Sequence, residues 1–282
     1  MRTTSRPALA SIAVGAVLMT AACGAGDGQP ATAAGSTDDA GVTTLRIGAS
    51  PVPHAEILEF VDAELADEAG LDLEIVTFDD YVLPNTALAE GELDANYFQH
   101  VPYLDAQVES QGFDFVHFDG VHIEPYGLYS STVTSVEDIP EGGTLAITND
   151  PGNQARALDL LVEAGLITLA ETEGDATLLD VEGNPKNLEL IETAPEQLVR
   201  SLEDVDAAVV NGNFALEAGL NPAQDAILLE AGEGNPYANI VAVRSDQATD
   251  PALEALDDLL HSDEVRAFIA ERWPAGEVVP AF

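Results

Sequence analysis

Cysteine and positively charged residues are scarce in this 282-residue sequence. It contains one cysteine, Cys23, and only 9 lysines and arginines against 51 aspartates and glutamates, which gives a formal net charge of −42. A single cysteine excludes an intramolecular disulfide, so a hydrophobic core has to stabilise the fold. The lack of basic clusters disfavours nucleic acids and bare anionic lipid as partners, because both attract positive patches. Since the acidic residues are scattered along the chain, we interpret them as a solvated acidic surface.

Motifs of catalysis are missing as well. The sequence has no Gly-x-Ser-x-Gly elbow, no His-Glu-x-x-His pair and no glycine loop of the Walker or dinucleotide-binding type. We therefore expect no enzymatic activity and no cofactor. One alternative stays open on the residues alone: a metal-binding lipoprotein, with zinc held by histidines from the set His54, His100, His117 and His122.

The amino terminus has the pattern of an exported lipoprotein. Arg2 and Arg6 precede an apolar run over residues 8–19, and small residues lead to Cys23. This predicts a signal peptide over residues 1–22, lipidation (palmitate included) at Cys23, and a location on the extracytoplasmic face of the cell membrane. Cleavage near Ala22 with an unmodified Cys23 is the alternative, because Thr20 stands where a lipobox usually has leucine. Residues 23–42 are rich in small and polar residues, which is typical of a flexible tether.

From residue 43 onward, short β-type runs alternate with helical patterns, which predicts an α/β architecture. Two α/β lobes suit the length better than one domain. The predicted strands cover residues 45–49, 71–78, 144–148, 188–192, 206–210 and 240–243. The predicted helices cover residues 53–69, 84–90, 154–164, 195–202, 252–261 and 264–272.

Three segments combine polar groups with aromatic residues or turn formers: residues 94–100, 122–126 and 149–156. In the last, a turn follows a strand and places Arg156 in the next helix, at the strand edge where α/β sheets bind ligands. Arg156 there suits a carboxylate, although a surface ion pair would explain it equally well. Phe98 and His100 suit the wall of a pocket or the core. Asn211 and Asn239 lie at strand ends, where asparagine also forms turns.

Taken together, these segments resemble the methionine-binding lipoproteins of bacterial ABC importers, the MetQ/NlpA family. The resemblance extends from Leu45 to Phe282, and its motifs occur in a recognisable order. They are residues 50–58, 78–82, 94–100, 122–125, 149–156, 184–187, 206–211, 215–220 and 236–239. Two positions depart from the family pattern: Val52, where glycine is common, and Tyr126, where methionine is frequent.

The resemblance implies a two-lobed periplasmic-binding-protein fold of type II-like form, with mixed sheets flanked by helices and a ligand cleft between the lobes. It places lobe 1 at residues 43–125 and 241–282, and lobe 2 at residues 126–240. The chain would cross between them near residues 122–129 and 235–243.

The same resemblance implies an amino-acid site. Arg156 would bind the ligand carboxylate, Asn211 and Asn239 would hydrogen-bond the amino and carboxylate groups, and Tyr81, Phe98 and His100 would line the side-chain pocket. The implied ligand is L-methionine, with D-methionine or a related amino acid as further candidates. The implied partners are the permease and ATPase of the importer.

Overall fold

Two mixed β-sheets organise the chain, and helices cover their faces. In the computed structural model the described residues are 33–232 and 235–282, so the predicted signal peptide and Cys23 lie outside them. The described residues belong to one compact unit.

Fourteen strands occur in the described residues: β1 Ser36–Thr37, β2 Thr43–Ala49, β3 Leu71–Thr77, β4 Ala95–His100, β5 Phe115–Ile123, β6 Gly127–Tyr129, β7 Thr144–Thr148, β8 Thr168–Leu169, β9 Val181–Gly183, β10 Glu189–Thr193, β11 Ala207–Val210, β12 Ala226–Leu229, β13 Asn239–Arg244 and β14 Val279–Pro280. A long helical run comprises Pro51–Ala55, Glu56–Val61, Asp62–Ala66 and Asp67–Ala69. The other helices are Leu83–Ala89, Val101–Gln111, Pro151–Glu163, Leu198–Ser201, Gly212–Glu217, Pro222–Asp225, Pro251–Leu260 and Asp263–Arg272. Short 3-10 turns occupy Val136–Asp138, Leu178–Asp180, Pro195–Gln197 and Ser245–Gln247.

The first sheet contains seven strands. Its path runs β1-β2-β4-β13-β5-β14, and β3 pairs with β2 on the opposite edge from β4. β2, β3 and β4 are parallel, whereas β13 is antiparallel to both β4 and β5. Parallel strands need a crossover, and the helical run after β2 supplies the one that leads to β3. Gly70, in the left-handed conformation with φ 70°, ends this run and turns the chain into β3.

The second sheet contains five strands in the order β10-β7-β11-β6-β12. β10, β7 and β11 are parallel, and β6 is antiparallel to β11 and β12. The chain enters this sheet through residues 124–126, between β5 and β6, and leaves it through residues 230–238, between β12 and β13. Both crossings therefore connect a pair of neighbouring strands in the first sheet, β5 and β13, with a pair of neighbouring strands in the second, β6 and β12.

Each sheet has its own hydrophobic core. Leu45, Ile47 and Val241 of the first sheet pack against the long helical run and the two carboxyl-terminal helices. Leu145 and Ile147 of the second sheet pack against helix Pro151–Glu163. A third cluster joins residues from both sheets and includes Tyr81, Phe98, Tyr103, Tyr129, Val210 and Phe214. Apolar contact between the sheets is thus concentrated beside the ends of β4 and β11.

The α/β fold is as predicted, and strand β7 matches the predicted residues 144–148. The predicted tether, residues 23–42, is too long at its carboxyl end. Ala34 is buried, its N–H donates to Asp250, and β1 pairs with β2. The predicted second crossing, residues 235–243, extends too far, because Asn239 and Ile240 already pair with β4 in the first sheet.

Candidate functional site

A small cavity of about 20 Å³ lies where the ends of β4, β11 and β13 meet helix Pro151–Glu163. That volume is enough for about one water molecule. All six residues proposed from the sequence line it. The lining consists of Tyr81, Phe98, Gln99, His100, Tyr103, Glu124, Asn153, Arg156, Asn211, Gly212, Asn213 and Asn239.

Helix Pro151–Glu163 begins at this cavity because its first turn is capped. Asp150 accepts a hydrogen bond from the Asn153 backbone N–H at 2.9 Å, and Pro151 occupies the first helical position, where no N–H is needed. The cap fixes the Asn153 side chain, whose Oδ1 accepts from His100 Nε2 at 2.9 Å and from Asn211 Nδ2 at 3.2 Å. Asn153 therefore ties the end of β4 to the end of β11.

His100 is the neutral Nε2–H tautomer. Its Nδ1 accepts from the backbone N–H of Tyr103, and this assigns the proton to Nε2, which donates to Asn153. Burial, together with the nearby positive charge of Arg156, lowers the pKa of His100 to about 3. The imidazole thus contributes an uncharged ring to the wall of the cavity.

Arg156 is buried and clamped on several sides. Its Nε and Nη2 donate to the Glu230 carboxylate at 3.1 and 2.5 Å, and Nη2 also donates to the Glu124 carbonyl oxygen at 2.9 Å. The rings of Tyr126 and Tyr237 lie 4.9 and 4.3 Å from the guanidinium carbon. The edge of the guanidinium formed by Nε and Nη2 therefore binds groups within the protein. Among the described residues, no hydrogen bond involves Nη1, so this nitrogen is available to a ligand.

Three asparagine side chains have one amide group engaged and the other available. Asn239 Oδ1 accepts from His54 Nε2 at 3.0 Å, which leaves its Nδ2 as a donor. Asn213 Oδ1 accepts from the Tyr81 hydroxyl at 2.6 Å, whereas its Nδ2 has no partner among the described residues. Asn211 has the opposite polarity, because Nδ2 donates to Asn153 and Oδ1 has no partner among the described residues. The cavity therefore offers two amide donors and one amide acceptor.

Glu124 is a buried carboxyl group at the first crossing. Its Oε1 lies 2.8 Å from His122 Nε2 and 3.3 Å from His54 Nε2, and the Tyr97 hydroxyl contacts His122 Nδ1. Burial lowers the pKa of His54 to about 4 and of His122 to about 3. Burial also raises the pKa of the Glu124 carboxyl. Both histidines are neutral at neutral pH, so neither supplies Glu124 with a positive charge. His122 donates a hydrogen bond to Glu124, whereas the Nε2–H of His54 is engaged by Asn239.

Aromatic rings form the apolar part of the wall. The Tyr81 ring lies 5.9 Å from Phe98, 5.7 Å from Tyr103 and 5.0 Å from Phe214, measured between centroids. The Tyr103 hydroxyl donates to the Tyr81 carbonyl oxygen at 2.8 Å and holds the two residues together. Faces and edges of such rings make favourable contacts with a thioether.

The predicted histidine set does not come together as a metal site. His100 is hydrogen-bonded to Asn153, and His117 is exposed on β5. Among the described residues, the group with suitable spacing is His54, His122 and Glu124, whose ligand atoms lie within 4.8 Å of one another. The hydrogen bonds to Asn239 and Tyr97 already engage the two imidazoles.

The sequence analysis missed several lining residues. Glu124 and Asn153 lie inside two of the segments singled out there, so their type and place were visible. Glu230 belongs to none of those segments. It reaches Arg156 because β12 pairs with β6, which brings Glu230 beside Tyr126.

The two sheets, the paired crossings and the cavity beside them define a two-lobed periplasmic binding protein. The sequence profile of the NlpA lipoproteins matches residues 45–282, and the chain belongs to this family. It is 41% identical to the methionine-binding lipoprotein MetQ of Bacillus subtilis over 92% of this chain and 93% of that one.

Two solved structures extend the comparison. A nutrient binding protein from Burkholderia cenocepacia bound to methionine is 42% identical, with a TM-score of 0.81, covering 84% of this chain and 100% of that one. An ABC transporter periplasmic substrate-binding protein from Coxiella burnetii is 43% identical, with a TM-score of 0.80 and the same coverage. These relatives give no support to the zinc-binding alternative. No helix within residues 33–232 and 235–282 has the length and apolar character to cross a bilayer.

Proposed function

We propose that the protein is the substrate-binding lipoprotein of an ABC importer, captures methionine and delivers it to the permease and ATPase. The observation that carries the proposal is the chemistry of the cavity lining, and the cavity has to widen to admit methionine because about 20 Å³ holds about one water molecule. The lining combines one buried cation, amides of both polarities and a wall of aromatic rings. A zwitterion needs partners for both charges when it is buried, and a thioether needs apolar contacts. The homologous protein from Burkholderia cenocepacia is bound to methionine.

Each proposed residue has a role that matches its free atoms. Arg156, through Nη1, and Asn239, through Nδ2, bind the ligand carboxylate. Asn211 accepts from the ligand ammonium through Oδ1. Tyr81, Phe98 and His100 enclose the ligand side chain.

The lobes of the proposal are residues 43–125 with 241–282, and residues 126–240. The two sheets and their separate cores support this division, except that Asn239 and Ile240 belong to β13 and therefore to lobe 1. Closure of the lobes around methionine would exclude water from Arg156 and present a new surface to the permease. Only a ligand that binds the closed state more tightly can drive closure.

Lipidation at Cys23 would keep the protein at the extracytoplasmic face of the membrane. Relatives named as lipoproteins support this. The full chain with Cys23→Ser should leave the membrane fraction yet keep its affinity for methionine. Retention of the variant in that fraction would contradict the anchor.

Thermal unfolding with a panel of amino acids, including L- and D-methionine, tests the ligand. A true ligand at 100 times its dissociation constant should stabilise the protein by about 2.7 kcal/mol. Stabilisation by another amino acid and not by methionine would reassign the substrate.

The role of Arg156 needs a paired variant, because Arg156→Met alone leaves Glu230 without its cation. Arg156→Met combined with Glu230→Gln removes both charges. We expect the double variant to be more stable than Arg156→Met and equally unable to bind methionine. If the double variant still binds methionine, Arg156 does not bind the ligand carboxylate.

A further inference from the structure

The two halves of the molecule are also joined by a hydrogen bond outside the cavity lining. Asn221 Nδ2 donates to Glu277 Oε1 at 2.8 Å, across 56 positions of the chain. Neither residue lines the cavity. In the proposed division, Asn221 belongs to lobe 2 and Glu277 to lobe 1. This hydrogen bond, here called the latch, therefore crosses from one lobe to the other.

The Glu277 carboxylate is fixed to the first sheet. It is 6% exposed, and its Oε2 accepts from the backbone N–H of Ala275 at 3.0 Å. Gly276, with φ 84°, makes the turn that brings these two groups together. Strand β14 follows directly and pairs with β5, whose last residue precedes the first crossing. A rotation of the first sheet therefore carries the Glu277 carboxylate with it.

Asn221 is fixed to the second sheet. Its backbone N–H donates to Asp225 Oδ2 at 2.7 Å, and helix Pro222–Asp225 leads directly into β12. Asn221 occupies the N-cap position of that helix, where an asparagine side chain usually accepts a backbone hydrogen bond. Here the side chain makes no such bond, and its Oδ1 is buried without a partner among the described residues. Within the described part of the chain, the bond to Glu277 thus orients the amide.

Helix Gly212–Glu217 connects the latch with the cavity. Its first two residues, Gly212 and Asn213, line the cavity, and at its other end the chain turns at Gly219, with φ 79°, to reach Asn221. The helix is short, so its two ends are only about 9 Å apart. Leu216 of this helix packs against the core of the first sheet, although the helix follows β11 of the second.

The latch is formed in an arrangement in which the lobes are closed on each other. At the cavity, the Tyr81 hydroxyl donates to Asn213 across the lobes at 2.6 Å. Helix Pro151–Glu163 of lobe 2 lies against helix Val101–Gln111 of lobe 1 so closely that a Cβ added to Gly152 would lie 2.7 Å from the Tyr103 Cα. Opening the lobes separates these contacts and the latch together.

We propose that the latch stabilises the closed arrangement and thereby sets the affinity for the ligand from outside the cavity. Asn221 and Glu277 are then positioning residues that do not contact the ligand. The inference rests on the proposed function, because it requires lobes that close around an amino acid. A ligand that binds only the closed lobes loses apparent affinity in proportion to the fraction of closed protein. Removing the latch should therefore weaken every ligand by the same factor.

The test uses a substitution that preserves the shape of the side chain. Asn221→Asp replaces the donor with a second carboxylate, so at pH 8 two negative charges face each other when the lobes close. Combining Asn221→Asp with Glu277→Gln restores a hydrogen bond of reversed polarity, because the glutamine amide now donates. Gln224→Glu adds the same charge at an exposed position of the same helix and is the matched control.

Isothermal titration of the full-length proteins with L-methionine gives the affinities. We expect Asn221→Asp to bind about tenfold more weakly than the wild type or worse, which is the size of a hydrogen bond to a charged group. The double variant and Gln224→Glu should stay within about threefold of the wild type. Equal affinities of Asn221→Asp and Gln224→Glu, or no recovery in the double variant, would overturn the proposal. If Asn221→Asp does not fold, Asn221→Ala takes its place, because it removes the donor without adding a charge.

A distance measurement separates closure from a general loss of structure. In full-length Cys23→Ser protein, spin labels at Asp79→Cys and Glu203→Cys lie on opposite lobes, at exposed positions that line one groove. Without ligand, Asn221→Asp should shift the label distances toward longer values than in the wild type, and saturating methionine should return them to the wild-type bound distance. A loss of affinity without this shift would refute the latch.

The ligand-free distances also keep the two proposals apart. If the wild type binds another amino acid and not methionine, the methionine proposal fails, and the shift caused by Asn221→Asp still tests the latch with that amino acid as the ligand. If methionine binds as proposed and the distances of Asn221→Asp coincide with those of the wild type, only the latch fails.

Discussion

Arg156 donates from both Nε and Nη2 to the carboxylate of Glu230, a residue 74 positions later in the chain. Glu230 also accepts from the backbone N–H of Tyr126 at 3.0 Å. One carboxylate thereby fixes the guanidinium to the first crossing of the chain. The pair decides which face of the arginine is available, because two parallel hydrogen bonds define the plane of the guanidinium.

Glu230→Gln should lower the free energy of unfolding by about 1–2 kcal/mol. The amide keeps one acceptor for Arg156 and loses one charge-assisted hydrogen bond, and the Glu230 side chain is 18% exposed, which reduces the effect below that of a fully buried pair. Glu74→Gln is the matched control, because its pair with Arg46 is 57% and 46% exposed and should contribute less than about 1 kcal/mol. Urea unfolding followed by circular dichroism measures both. A larger loss in Glu74→Gln than in Glu230→Gln would contradict this account.

The resemblance to the MetQ/NlpA family implied six residues for the site, and all six line the cavity. Arg156, Asn211 and Asn239 each follow or begin a strand, and in α/β sheets such positions converge at one edge. Glu230 was not predictable in this way. Its contact with Arg156 depends on the pairing of β12 with β6, and neither strand is marked by a regular pattern. The polarity of each asparagine also depends on long-range partners such as His54 and Tyr81.

The fold was predicted best where apolar residues recur at the regular spacing of a strand or a helix. Strand β7 and the helices near the carboxyl terminus have such a spacing. Strand β5, Phe115–Ile123, and helix Val101–Gln111 were not predicted. The strand is interrupted by Asp119 and Gly120, and the helix buries only Tyr103 and Leu104, so it shows little apolar periodicity. Both are held by neighbours that are distant in sequence.

Lys186→Met should lower the free energy of unfolding by about 2 kcal/mol. Lys186, the only lysine of the chain, donates from Nζ to the carbonyl oxygens of Val136, Glu137 and Ile139 at 3.3, 2.7 and 2.7 Å. Charge-assisted bonds of this kind contribute more than neutral ones, and three carbonyls lose their donor together. Arg200→Met, at an exposed position, removes the same unit of charge and serves as the control. If the two variants unfold at the same midpoint temperature, the three hydrogen bonds of Lys186 do not stabilise the fold as expected.

Acid should destabilise the protein already between pH 6 and pH 5. His54, His100 and His122 have pKa values of about 4, 3 and 3 in the fold, below the ordinary value of 6.5. The unfolded chain therefore binds protons in this interval and the folded protein does not, so stability falls as the pH falls. Each histidine contributes about 1.4 kcal/mol per pH unit. Four carboxyl groups act in the opposite direction because burial raises the pKa of each: Glu124, Asp150, Asp159 and Glu217. We expect a net loss smaller than the three-histidine maximum of about 4 kcal/mol per pH unit.

Urea unfolding at pH 7, 6, 5.5 and 5 measures this loss. The interval lies above the ordinary pKa of most carboxyl groups, so the histidines dominate it. His100→Gln should reduce the slope by about one proton, which corresponds to about 1.4 kcal/mol per pH unit. A pH profile of the variant that coincides with that of the wild type would show that His100 is not a buried neutral group.

Protonated His261 should stabilise the folded protein, and this stabilisation should be lost as the pH rises. It ends helix Pro251–Leu260, and its Nδ1 lies 2.8 Å from the Asp257 carbonyl oxygen and 3.1 Å from the Asp257 carboxylate. The adjacent Asp257 carboxylate, together with the hydrogen bond to the Asp257 carbonyl oxygen, raises the pKa of His261 to about 9. The folded protein thus holds a proton that the unfolded chain releases above pH 6.5. The stabilisation is complete below that pH and is lost as the pH rises through about 9.

A protonated histidine at a partly buried helix carboxyl terminus contributes up to about 2 kcal/mol. The wild type should therefore lose roughly 1–2 kcal/mol more than His261→Gln between pH 6.5 and pH 10. Urea unfolding of both proteins across this range gives the difference, and subtraction cancels the titration of the other groups, which the two proteins share. The variant keeps a side-chain donor for the Asp257 carbonyl, so a constant offset between the curves reflects lost packing against Phe282. Only a difference that shrinks as the pH rises demonstrates the charged imidazole, and parallel curves would contradict it.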